Sequence, residues 1–518
     1  MDSSILTLIL LVPLAGALLV ALFPDRGKLP AWLALITTLV TFGLTLHLPA
    51  HFDVTQSGFQ FVVNQKWIES PAIYYHVGVD GLSLWLVVLV GVLGIVGTLA
   101  SWNTINQRRK VFYSLLLVQQ TAMYGVFISL DLMLYYGFWE LSLVPMAILI
   151  AMYGRKEGPK AAIKFFLFTF IPSAPLLVAI LYLYARTGTF NFTELRTLIV
   201  VGAIPTGALF WVALAFLFAF AVKVPVFPLH GWLADTFGEA PVAMAMVVAG
   251  KLGIYSMLRF HVGLFPAQAR AIAPLIIGLA VVGILYGACL ALVQRDFWRF
   301  LAFAALSHLS LITLGVYGFT FTGWNGAVFQ ILNNELIDAA LFVLFGALES
   351  RYSTSEIAAY GGLAARLPRM ATLFVIVSLA MVGLPLMNGF VGEFLILSST
   401  FAGVSHGWAI VATTGVILSA AYMLRLVQRV FYGPESKMTQ TVTAPDLRIG
   451  EQSVLWPLAV LMLVMGVVPN LWFRDIQTAQ KPVVMQQSKA TGLPGPESTE
   501  MLSQPDVSLS TNHGEVQR

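Results

Sequence analysis

Apolar runs long enough to cross a lipid bilayer recur along almost the whole of this chain. They fall near residues 4–23, 30–49, 82–101, 111–129, 132–152, 162–185, 202–224, 241–260, 272–292, 299–317, 326–347, 371–400, 408–431 and 453–472. About 20 apolar residues in a helix match the hydrocarbon thickness of a membrane. Fourteen such runs predict an all-α, polytopic membrane protein with about 14 transmembrane helices. Charge content explains why no water-soluble fold competes. Only 10% of the 518 residues are charged, whereas a soluble domain carries about 25%. The first run lacks a basic leader and a small-residue cleavage site, so it is expected to remain as a helix. The 50–80 segment reads as a longer polar connection with room for short strand or helix pieces. The polar stretch from 473 to 518 reads as a tail.

Basic residues sort by loop. One set of alternate connections holds 18 of them, including Arg108, Arg109, Lys110, Arg155, Lys156, Lys160, Lys164, Arg295, Arg299 and Arg351. The opposite set holds 5: Lys66, Arg186, Arg196, Arg259 and Arg270. Cytoplasmic loops carry the excess of Lys and Arg, so both termini are expected on the non-cytoplasmic side. The tail adds Arg474, Lys481, Lys489 and Arg518, and two basic residues are left over. Lys223 and Lys251 lie deep in apolar sequence, where an ionised side chain costs at least about 2.5–3.5 kcal/mol and cannot snorkel to water. Lysine, unlike arginine, can give up its proton. A buried lysine beside a carboxylate makes a proton site whose occupancy follows its partner. A static ion pair that fixes helix packing is the competing reading.

Glu140, flanked by Trp139 and Leu141, is the natural partner of Lys223, and Pro145 after it is expected to kink its helix. His308 lies within the tenth run, and an ordinary pKa near 6.5 suits a proton carrier, although lone buried histidines also serve packing. His230 stands where a wet entrance is expected. Glu335 and Asp338 are three apart and share a helix face. Two carboxylates in a low dielectric do not both ionise readily. Asp80 opens the third run and is read as its cap. The single cysteine, Cys289, is read as a small buried hydrophobe. It excludes a disulfide framework and a cysteine-based metal or iron–sulfur site in this chain. Phosphate loops, nucleophile–base sets, haem ligand pairs and nucleotide fingerprints find no convincing match. Neither a metal, a cofactor nor a nucleic-acid partner is expected in this chain, so catalytic redox chemistry belongs to other chains.

Helices 7 and 12 are expected to be broken. Pro225 and Pro228 follow Lys223, and Gly383, Pro385 and Gly389 precede Glu393. Irregular backbone at membrane depth survives only inside protein or beside a wet cavity. Paired interruptions five spans apart point to two inverted five-helix repeats. The implied units are residues 1–101 (helices 1–3 and a loop), 111–262 (helices 4–8), 272–431 (helices 9–13), 453–472 (helix 14) and the tail.

The motifs Gly78-Val-Asp-Gly-Leu-Ser-Leu, Phe138-Trp-Glu-Leu-Ser-Leu-Val-Pro-Met, Ala219-Phe-Ala-Val-Lys-Val-Pro-Val-Phe-Pro-Leu-His, Glu239-Ala-Pro, Ser307-His and Asn388-Gly-Phe-Val-Gly-Glu-Phe resemble one family. It is that of the antiporter-like membrane subunits of respiratory complex I (NADH-quinone oxidoreductase), above all the subunit M, or chain 4, type. The resemblance covers nearly all of residues 1–475. It implies that Glu140, Lys223 and Lys251 are the family's relay residues of helices 5, 7 and 8, and that Glu393 is the exit-side acid. It also implies sister antiporter-like subunits as partners in a bilayer, either a bacterial inner membrane or a thylakoid. NADH or ferredoxin, flavin, iron–sulfur clusters and quinone are then expected in partner chains. The expected function is proton translocation driven by redox chemistry elsewhere. A subunit of an Mrp-type cation/proton antiporter or of a membrane-bound hydrogenase remains the alternative. The family usually places His before Gly at 334–335, where this chain has Asn334 and Glu335. It commonly has Trp-Leu-Pro-Asp-Ala-His where this chain has Trp232-Leu-Ala-Asp-Thr-Phe. Glu335 and Asp338 are the expected replacements for the missing imidazole.

Overall fold

The computed structural model describes residues 4–243 and 251–479. Eleven helical segments among the described residues are long and apolar enough to cross a membrane. In chain order the elements begin with α1 (Ile5–Leu22) and α2 (Leu29–His51). Two strands, β1 (Gln60–Ile68) and β2 (Ile73–Val79), then pair antiparallel. The expectation of an all-α chain is therefore corrected by one hairpin. Its polar, β-branched and aromatic sequence, Gln-Phe-Val-Val-Asn-Gln-Lys-Trp-Ile, suits a pleated surface better than a helix. α3 (Leu84–Ala100) is only 17 residues long, α4 spans Arg109–Ile128, and the fifth run splits into α5 (Leu132–Leu141) and α6 (Leu143–Tyr153) at Ser142. The split falls where Pro145 removes the donor for the Leu141 carbonyl. It comes one turn earlier than a kink at the proline itself. α7 (Gly158–Thr187), the short α8 (Phe192–Val200), α9 (Thr206–Lys223) and the short α10 (Leu233–Glu239) follow.

The eighth run is described from Lys251 onward, as α11 (Lys251–Ser256) continued by a π-helical turn, Met257–Val262. Then come α12 (Pro266–Val293), α13 (Phe297–Tyr317), α14 (Phe321–Tyr352), α15 (Pro368–Met381), α16 (Asn388–Gly403), α17 (His406–Val427), the short α18 (Lys437–Thr441), α19 (Ile449–Val467) and α20 (Asn470–Ile476). α13 and α14 form the core, with nearly every residue buried, while α1, α2, α7, α17 and α19 each turn an apolar face outward. Cys289 lies on such an outward face of α12, so it is exposed rather than buried. The expected tail begins later than residue 473. Asp475 is buried, accepts from Trp85 Nε1 at 3.2 Å, and has its carbonyl against Gly81, where any Cβ would stand 2.0 Å away.

The two faces of the bundle differ. The hairpin lies with the ends of α2 and α4, and Val77 bridges to Ser129; the excess of arginine and lysine lies at the other face. One local pattern occurs on both. Asp131 caps α5 by accepting from Met133 N and Leu134 N, and its backbone bridges to Asn191. Asp296 caps α13 by accepting from Trp298 N and Arg299 N, and bridges to Glu356. The first motif sits at the hairpin face, the second at the basic face.

Candidate functional site

The first interruption follows Lys223. With Pro225 and Pro228 unable to donate, the backbone widens, and Val226 N reaches the Ala221 carbonyl at 2.9 Å, five residues back. The carbonyl of Val222 is capped by the indole Nε1 of Trp232 at 2.9 Å. This satisfies a group that would otherwise be orphaned in a dry interior. Lys223 is 6% exposed. Its Nζ lies 5.4 Å from the ring centroids of both Trp139 and Phe165, within cation–π range. Glu140, next to Trp139, comes close enough to Lys223 for electrostatic coupling, with Ser173 and Tyr136 beside its carboxyl. The two charges do not close an ion pair, and Glu140 Oε1 is buried without a hydrogen-bond partner among the described residues. His230 lies past the interruption, stacked on Phe227 at 5.7 Å and against Tyr286 at 5.1 Å. Its Nδ1 also lacks a partner among the described residues.

α11 is pressed backbone to backbone against this interruption. A Cβ on Gly253 would stand 2.6 Å from Val224 Cγ2 and 2.9 Å from Val224 N. Only glycine allows this approach, and it brings Lys251 beside the break that carries Lys223. Lys251 is fully buried and donates to Glu335 Oε2 at 2.5 Å. Sequence reasoning assigned Glu335 to the helix face of Asp338. The structure gives it a closer partner, and the second oxygen, Oε1, has none among the described residues. Asp338 accepts from Asn334 Nδ2 at 3.0 Å and lies within electrostatic range of Glu335, His308 and Lys251. His308 Nδ1 faces Glu393 Oε1 at 3.4 Å, and its Nε2 faces the Tyr422 hydroxyl at 3.2 Å. Lys251, Glu335, Asp338, His308 and Glu393 thus form one buried series across α11, α14, α13 and α16.

Glu393 sits one turn into α16, just after the second interruption. There Leu384 N reaches the Leu379 carbonyl at 3.1 Å, again five residues back. Gly383 holds φ +73, and a Cβ on it would meet Glu393 Oε2 at 2.5 Å. Asn333 Nδ2 donates to the Asn388 carbonyl at 2.8 Å, as Trp232 does for Val222. A groove of about 610 Å³ between α16 and α17 reaches Glu393 from outside, walled by Phe394, Phe401, Ile410 and Ile417.

Residues 129–419 match the family described as NADH:quinone oxidoreductase/Mrp antiporter, TM. NADH-quinone oxidoreductase subunit M of Rhodobacter capsulatus is 38% identical over 486 residues, covering 90% of this chain and 94% of that protein. The subunit M of Rickettsia prowazekii is 36% identical over 480 residues, with 91% and 96% covered. The chain belongs to the NADH-quinone oxidoreductase subunit M family. A structure of respiratory complex I from Thermus thermophilus superposes with a TM-score of 0.82 at 31% identity, over 92% of this chain and 99% of that one. The Mrp complex of Dietzia shares the fold, at a TM-score of 0.81 and 21% identity over 95% of this chain and 99% of that chain.

As a member of the subunit M family the chain carries two features that its sequence concealed. Arg259, counted with the loop residues, is 6% exposed and forms a bidentate pair with Asp80. The expected cap of α3 is not Asp80: the N-cap position is Ser83, with no side-chain cap bond, and Asp80 accepts from Leu82 N and Ser83 N in the turn before the helix while it holds the guanidinium. The spacing Lys251, Tyr255, Arg259 was the available signal, since residues four apart share a helix face. Tyr422 had no signal, because it lies in an ordinary amphipathic run. Among the described residues no group of three or more His, Cys, Asp or Glu side chains is placed to hold a metal ion.

Proposed function

We propose that this chain is a proton-translocating membrane-arm subunit of an NADH-quinone oxidoreductase, moving protons along its buried titratable residues while partner subunits carry out the redox chemistry. The observation that carries this reading is the series of ionisable side chains between the two interruptions. Isolated charges in hydrocarbon are expensive, and such residues in membrane helices serve transport more often than packing. Protons enter from the basic, cytoplasmic face near His230 and Lys223. Glu140 and Lys223 close and open an ion pair as the neighbouring subunit changes charge. Lys251 passes the proton to the Glu335 and Asp338 face, and His308 delivers it to Glu393 for release. Glu335 takes the place of the family's usual imidazole: an acid three residues before Asp338 accepts a proton from Lys251 and can pass it on.

The chain is further proposed to span the membrane fourteen times. Beside the eleven long segments stand α3, the interrupted pair α15 and α16, and the eighth run that contains α11. The Asp131 and Asp296 motifs on opposite faces, and the five-residue backbone bonds at both interruptions, support two inverted repeats, residues 111–262 and 272–431. Residues 1–101 and 453–472 flank them, and both termini lie on the non-cytoplasmic side. Sister antiporter-like subunits would cover the open apolar faces, in a bacterial inner membrane. NADH or ferredoxin, flavin, iron–sulfur clusters and quinone belong to the partner chains.

The test is a reconstituted complex carrying Lys223→Ala. Quinone reduction measured with an uncoupler present reports assembly, and proton uptake per electron pair reports the role of this chain. A lowered proton yield is expected; a yield equal to wild type removes Lys223 from the route.

A further inference from the structure

Lys251 has a second neighbourhood that the lateral route does not use. Lys251, Tyr255 and Arg259 are spaced i, i+4, i+8, so they form one stripe running from the membrane centre to the hairpin face. The stripe ends at Asp80 and at a cavity of about 70 Å³ lined by Asp80, Arg196, Arg259, Phe59, Phe192 and Trp324, which reaches the surface beside Gly58. That volume admits a few waters. From Lys251 to Arg259 and this pocket is about two helical turns, ~12 Å of rise, which makes a second way out of the bundle beside the path through Glu335 and His308 to Glu393. A pump with such an exit open would lose its protons backwards through it.

The stripe is closed at two points. The Tyr255 hydroxyl donates its only proton to the Phe127 carbonyl at 3.0 Å, and its oxygen accepts from Arg259 Nε at 3.3 Å. Its proton is committed to a backbone carbonyl, which cannot pass it on, and its donor is a guanidinium that does not release one. Asp80 Oδ1 accepts from one terminal nitrogen of Arg259, from Leu82 N and from Ser83 N, and Oδ2 accepts from the other terminal nitrogen, so the guanidinium covers both carboxylate oxygens. Between them stands a guanidinium that does not deprotonate, held by the faces of Phe59 at 5.0 Å, Phe192 at 5.7 Å and Tyr255 at 5.5 Å. A fixed positive charge in a low dielectric repels an incoming proton. Arg259 also sits in the π-helical turn Met257–Val262, a feature that recurs at functional sites and here widens the helix where the side chain turns toward Asp80.

We infer that Arg259, anchored by Asp80, is an electrostatic seal between Lys251 and the hairpin-face cavity, and that it forces protons onto the lateral route toward Glu393. Arg259 and Asp80 are positioning residues, since they hold a path closed without handling the pumped proton. This rests on the reading that Lys251 carries protons, so the experiment separates the two. Reconstituted complex with Arg259→Gln is compared with wild type for passive proton conductance under an imposed pH gradient, and for protons pumped per electron pair. Uncoupled quinone reduction is the assembly control.

The seal predicts a rise in passive conductance of about tenfold or more, the effect of lowering a barrier by about 1.4 kcal/mol, and a lower pumping yield. Arg259→Lys, which keeps a positive charge but can give up its proton, should leak less than Arg259→Gln and more than wild type. Tyr255→Phe added to Arg259→Gln removes the next hydroxyl and should close the leak again. Conductance and yield unchanged in an assembled Arg259→Gln complex overturn the seal. Should that variant fail to assemble, Asp80→Asn, which frees the guanidinium, must show the leak by the same readout, and a tight Asp80→Asn complex overturns the proposal. A leak that persists in Lys251→Ala/Arg259→Gln does not run through Lys251 and also contradicts it. Unchanged pumping in Lys251→Ala alone would instead refute the underlying route.

Discussion

The two interruptions are built alike in backbone and differently in what surrounds them. At each, a backbone amide reaches five residues back, from Val226 to Ala221 and from Leu384 to Leu379, and a side-chain N–H donates to a nearby carbonyl, Trp232 to Val222 and Asn333 to Asn388. Around the first lie aromatic rings, and its lysine faces Trp139 and Phe165 with its acid uncoupled from direct contact. Around the second lie polar side chains with closed contacts, Asn333 on Asn388 and His308 on Glu393 and Tyr422, and these are joined to Lys251, whose helix packs against the first interruption but which is already closed on Glu335. The same backbone device can therefore hold a charge ready to pair or a charge already paired. What decides between them is whether the neighbouring helix supplies rings or carboxylates.

That contrast makes the two lysines unequal in stability, and this is where it breaks most easily. Lys251→Ala strands the Glu335 carboxylate in the core and is expected to cost about 3–5 kcal/mol, the usual penalty for breaking a buried pair from one side. The double change Lys251→Met with Glu335→Leu should recover most of it. Thermal unfolding of the purified complex measures both, and a small loss for the single change would mean that the pair is not closed in solution. Gly383→Ala comes next. It forces a side chain into a left-handed conformation and against Glu393 Oε2, for about 1–3 kcal/mol, with pumping impaired alongside; an alanine tolerated without cost would refute the close packing of Glu393. Trp232→Phe deletes the cap on Val222 and should cost about 1–2 kcal/mol. Hydrogen exchange ought to rise near the first interruption and stay unchanged near the second. Smallest is Lys223→Met, which removes a buried charge with no closed partner. Stability is expected to stay within about 1 kcal/mol of wild type, while the proton yield falls.

Much of this organisation was legible before the structure, for a physical reason. Lipid admits few backbone arrangements, so apolar runs and loop charges constrain the spans, and prolines and glycines beside Lys223 and Glu393 mark the interruptions. Pairings were harder to read. Glu335 stood out as an odd residue, but its bond to Lys251 joins positions 84 apart in sequence, and no local pattern encodes that contact. Glu140 does lie within electrostatic reach of Lys223, as charge alone suggested, but the placing of the ammonium over the Trp139 and Phe165 rings is encoded by no charge pattern. Arg259 escaped because a basic residue near a helix end looks like any loop arginine until its partner, 179 positions earlier, is found. The 50–80 connection left room for short strands, but the antiparallel pairing of Gln60–Ile68 with Ile73–Val79 was not specified by any turn signal read there.

The central claim is that protons cross the molecule sideways, through the buried acids Glu335 and Asp338. It is tested most directly by the proton yield of a reconstituted complex bearing Glu335→Gln together with Asp338→Asn. Both changes keep shape and remove the ability to carry a proton. The account predicts fewer protons pumped per electron pair at an unchanged rate of uncoupled quinone reduction. A yield equal to wild type in the assembled double variant would contradict it.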